Sequence, residues 1–84
     1  MSKVHPRDVD RIVETIRPLL AGKPPELQGA VLADLLAMFI AGHHPGLREE
    51  ILTLHIAAVR ELVPPNEAII MDRRGGKPPG WEPS

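Results

Sequence analysis

Residues 30–41 read AVLADLLAMFIA, twelve residues in which Asp34 is the only charge. With Leu27 upstream, the large apolar residues of this segment are Leu27, Val31, Leu32, Leu35, Leu36, Met38, Phe39 and Ile40. On a wheel of 100° per residue they cover about 220° of the circumference. The remaining face carries Ala30, Ala33, Ala37 and Ala41, with Asp34 among them. A helix apolar nearly all round is a central, buried one. A membrane span takes about twenty such residues, so the stretch predicts a core helix of a soluble protein. Pro25 marks its start and Gly42 its C-terminal cap.

On the N-terminal side, Lys23, Pro24 and Pro25 make a short stiff connector, and Gly22 before it closes the preceding helix. Before it, Val9, Ile12, Val13, Ile16, Leu19 and Leu20 hold helical spacing within an arc of about 120°, the narrow stripe of a one-sided surface helix. Pro6 fits its first position, where a missing N–H costs nothing. Pro18 predicts a kink or an early end in the last turn.

On the C-terminal side, Gly42-His43-His44-Pro45-Gly46 is short enough to return the chain as an antiparallel helical hairpin. The third helix restarts at Pro45, with Glu49 and Glu50 at the favourable end of the dipole. It is expected to stop at Pro64-Pro65. Leu47, Ile51, Leu54, Ala58 and Leu62, together with Leu52, Ile56, Val59 and Val63, spread over about 200°. The apolar piece 66–71 reads as a short capping turn. From Asp72 the composition turns to Arg, Gly, Lys and Pro, which buries too little to order itself.

Eighty-four residues make one domain, here 1–71, followed by a disordered Pro/Gly-rich tail, 72–84. So small a core often needs a staple or oligomerisation. There is no cysteine, which excludes disulfides, thiolate zinc sites and thiol catalysis. Residues 1–10 are charged and carry no apolar leader core, and a cytoplasmic location is the plain expectation. Ten basic against eleven acidic residues give a net charge of −1. That lacks the basic excess phosphate contacts call for, so a nucleic-acid partner is disfavoured. No membrane partner is expected.

The chemistry is thin. The hydroxyls are Ser2 and Ser84 at the ends and Thr15 and Thr53 on polar helix faces; there is no Tyr. None lies near a base, as a nucleophile requires. No phosphate-binding glycine loop occurs, and no cofactor is implied. From His44 to His55 a helix rises about 16 Å, far beyond a shared zinc with bonds of about 2 Å. No metal site and no catalytic residue are assigned.

The expected architecture is therefore all-α: a three-helix bundle made of an antiparallel hairpin, 25–63, and a covering N-terminal helix. Its surplus apolar surface predicts a homodimer, with Leu32, Leu36, Phe39, Ile40, Leu52, Ile56, Val59 and Val63 at the interface. Asp34 and His55 form a candidate buried polar pair, because positions summing to about 88 lie level in such a hairpin. Trp81, the lone tryptophan, is a candidate anchor for the tail. The expected function is a non-enzymatic interaction or regulatory module that self-associates or docks a partner protein. One alternative is a nucleic-acid-associated regulator using the basic tail, Arg73 to Lys77. Another is an accessory enzyme or metal-dependent protein using His43, His44 or His55.

Overall fold

A computed structural model describes residues 4–81 and is all-α. Helix α1 spans Pro6–Leu20, α2 Pro25–Ala41 and α3 Arg48–Arg73, with a single 3-10 turn at Pro45–Leu47 leading into α3. No strand occurs among the described residues. The chain divides into two units, Met1–Phe39 and Ile40–Ser84.

In the first unit, the sequence sets both ends of α1. The His5 ring accepts the Arg7 backbone N–H at 3.1 Å, occupying one of the donors a helix start leaves over. Pro6 follows in the first turn. Pro18 has no N–H to offer the Glu14 carbonyl, yet α1 does not end early there. The Ala21 N–H reaches the Arg17 carbonyl at 2.9 Å and completes the last turn. Gly22 then takes a φ of 77°, a left-handed conformation that suits glycine. The Gln28 side chain, from the second turn of α2, donates to the Leu20 carbonyl at 2.8 Å. That bond ties the end of α1 to the start of α2.

In the second unit, the end of α2 is capped differently from the expectation. Gly42 was the expected cap, but it is not among the glycines with positive φ. The cap comes instead from Arg48, whose Nη2 donates to the Ala41 carbonyl and whose Nε donates to the His43 carbonyl, both at 3.0 Å. A planar cationic fork satisfies two orphan carbonyls at once and carries the right charge for the negative end of the dipole. The turn is held by the His44 ring, which accepts the Gly46 N–H at 3.0 Å.

The larger correction concerns α3. It does not stop at residue 63 but runs through Pro64 and Pro65 to Arg73. The piece expected as a separate turn, 66–71, is its continuation, and the expected boundary at 71/72 falls inside its last turn. Each interior proline costs on the order of 3 kcal/mol. Several features lower that cost here. Proline's own φ is already helical. The carbonyls left over belong to Arg60 and Glu61, which are exposed, so water can serve them. The Asn66 side chain donates to the Leu62 carbonyl at 2.8 Å and reinforces the turn across the pair.

Burial is sparse. Met71, 5% exposed, is the one buried residue among those described. On α1, Val9, Ile12, Val13 and Leu19 are exposed.

The Arg48 fork gives a direct test. Arg48→Ala should lower thermal stability by about 1–2 kcal/mol, two charge-assisted bonds on a half-buried group. Circular dichroism melts would read this, and Arg60→Ala, on an exposed residue, should leave the melt unchanged.

Candidate functional site

Each unit carries its own row of exposed or half-buried apolar side chains. In the first, Leu32 and Phe39 of α2 are exposed and Leu36 is half-buried. In the second, Ile40 and Leu52 are half-buried, while Ile56, Val59 and Val63 are exposed. On α3 the four expected interface residues, Leu52, Ile56, Val59 and Val63, stand at i, i+4, i+7 and i+11. That is a heptad seam, the spacing at which a helix meets a second helix side by side. Asn66 and Ile70 extend it by the same rule.

The polar candidates are described each within its own unit. Asp34 is exposed in the first unit. His55, half-buried in the second, has Nδ1 3.0 Å from the Ile51 carbonyl one turn earlier, so that nitrogen carries the proton and donates. His43 is half-buried beside the loop, and His44 is committed to its own turn. Among the described residues no three His, Cys, Asp or Glu side chains converge as metal ligands would. The Thr15 and Thr53 hydroxyls donate to the carbonyls of Arg11 and Glu49, at 2.8 and 2.9 Å. Both are engaged with their own helices rather than beside a base. No buried side-chain polar atom lacks a partner among the described residues. No single helix among them is long and apolar enough to cross a membrane.

The most built feature lies at the C-terminal end of α3. Here the chain reverses through Gly75 and Gly76, with φ of 87° and 119°. The Gly76 N–H reaches the Met71 carbonyl at 2.8 Å and seals the helix end. Residues 77–81 then return along the last turns. The Trp81 indole N–H donates to Glu67 Oε2 at 3.2 Å, and Lys77 Nζ lies 3.8 Å from Glu67 Oε1. Glu67 thus receives both groups. Between Trp81 and the helix lies an open, mostly apolar cavity of about 300 Å3, lined by Val63, Asn66, Glu67, Ile70, Met71 and Trp81.

Glu67 is the residue sequence reading passed over. It stands fourteen positions before Trp81 in a segment that looked like a loose turn. Only a helix continuing through the prolines, followed by a reversal at two glycines, brings the two together. The glycine pair was the available signal. No family model matches the chain, and neither a curated protein nor a solved structure resembles it.

Because Trp81 is the only tryptophan, its fluorescence reads this contact directly. In dilute solution its emission should lie to the blue of the denatured chain. Glu67→Ala should move it towards the denatured position, since an exposed indole–carboxylate bond is worth only about 1 kcal/mol.

Proposed function

We propose that the protein is a non-enzymatic helical interaction module that works by self-association, and that a second copy completes the bundle its helices call for. The supporting observation is the exposure of the large apolar side chains in each unit, with Met71 alone buried. Monomers rarely leave large apolar patches in water.

The interface is assigned to Leu32, Leu36, Phe39 and Ile40 of α2 and to the α3 seam of Leu52, Ile56, Val59 and Val63. A two-fold pair is the commonest arrangement. It gives a four-helix core of two α2 and two α3 helices, with each α1 laying its single stripe on the outside. Burying a Leu or Ile side chain is worth roughly 1.5–3 kcal/mol, so four or five per chain outweigh the entropy of pairing at micromolar concentration. The near-balance of charge and the pairing of Lys77 with Glu67 favour this reading over a phosphate-binding tail.

Light scattering across a concentration series tests it. The expected mass is twice the 9.2 kDa of the chain at micromolar concentration and above. A mass that stays at the single-chain value at the highest soluble concentration overturns the proposal. Placing a charge at Leu36, Phe39 or Ile56 should dissociate or unfold the assembly, whereas Glu61→Lys, on an exposed position, should do little.

A further inference from the structure

Val63, Asn66, Glu67 and Ile70 stand at i, i+3, i+4 and i+7 of α3. In helix-to-helix packing, four residues in that diamond form the hole that receives one knob from a facing helix. All four line the cavity under Trp81. The diamond also continues the seam of Leu52, Ile56, Val59 and Val63, so it is the C-terminal end of the surface assigned above to a second copy.

We infer that the segment Lys77–Trp81 is a strap whose tryptophan overhangs this hole in the single chain, and that the helix of a second copy must displace it to use that end of α3. The inference rests on the self-association reading. Three features fit a releasable cover better than a fixed part of a core. First, the strap is joined to α3 through Gly75 and Gly76, both at positive φ, with nothing near the position a Cβ would take. Turning there meets no side chain. Second, its polar anchors are light. They are one indole N–H at 3.2 Å and one ammonium at 3.8 Å, both on the same Glu67 carboxylate and both open to water. Third, Trp81 remains 45% exposed, and the space between it and the helix stays open, so the hole is overhung and not sealed.

The chemistry of the hole also limits its occupant. Val63 and Ile70 offer apolar walls, while Asn66 and Glu67 supply an amide and a carboxylate at the rim. A large side chain with an apolar body and a donor at its edge fits best, and the indole is one. A leucine or isoleucine knob from a second copy gains the apolar walls but gives Glu67 no donor. The strap and a partner helix therefore compete for the same apolar walls.

The competition has a measurable size. A chain whose binding-competent state is only partly populated binds with an affinity reduced by that fraction. If the strap is closed several times as often as it is open, removing the tryptophan from both chains of a pair tightens association on the order of tenfold. Sedimentation equilibrium should be run on the full chain, on Trp81→Ala and on Lys77→Glu. The last lies outside the hole and turns the ion pair with Glu67 into a repulsion. Far-ultraviolet circular dichroism checks that helix content is kept. Both variants are expected to associate more tightly than the wild type, Trp81→Ala by the larger factor. Trp81 emission in the wild type is expected to shift as chains associate. An unchanged or weaker association of both variants overturns the strap while leaving self-association standing, and so does an emission constant through the wild-type transition. Single-chain mass for all three proteins at every concentration overturns the self-association reading and the strap with it.

Discussion

A helix with large apolar residues over more than half its circumference needs cover on more than one side, and the neighbours within an 84-residue chain are few. That constraint governs this protein. Helices α2 and α3 both distribute their Leu, Ile and Val residues widely rather than in one stripe, whereas α1 carries only a narrow band. A narrow band can cover one groove. It cannot cover two helices that are each apolar over more than half their circumference. Self-association is proposed because a second copy supplies the missing faces in equal number.

What order the single chain has is local and polar. The His5 ring at the start of α1, the Gln28 side chain on the Leu20 carbonyl, the Arg48 fork on the end of α2 and the Glu67 carboxylate at the end of α3 each engage groups at or near a helix end. Such bonds fix the lengths of helices and the turns that join them. Each is worth only about 1 kcal/mol net, too little to replace a core. Helix boundaries are thus set within the chain.

The Pro64-Pro65 pair has a place in this scheme. Had α3 ended there, Asn66, Glu67 and Ile70 would not share a face with Val63, and the diamond beneath Trp81 would not exist. The continuation costs hydrogen bonds at two exposed carbonyls, where water offsets part of the loss. In return, the α3 seam gains two more turns, and the tail begins where it can reach back onto them.

The sequence by itself determined the class of the fold, the start of α1, the bounds of α2 and the restart at Pro45. Helical periodicity is a local property, and proline and glycine interrupt it by local sterics. It also placed the apolar rows on α2 and α3, and its lack of cysteine removed thiol chemistry. The length of α3, the Arg48 cap and the Glu67–Trp81 contact were decided only by the tertiary structure. Each depends on a group meeting another several or many positions away. A proline pair reads as a stop unless the downstream turn is reinforced, as Asn66 does here. An arginine reads as a surface charge until the chain reversal sets its fork beside two open carbonyls. Glu67 and Trp81, fourteen residues apart, become neighbours only because α3 keeps its direction past residue 65 and the backbone then turns at Gly75 and Gly76.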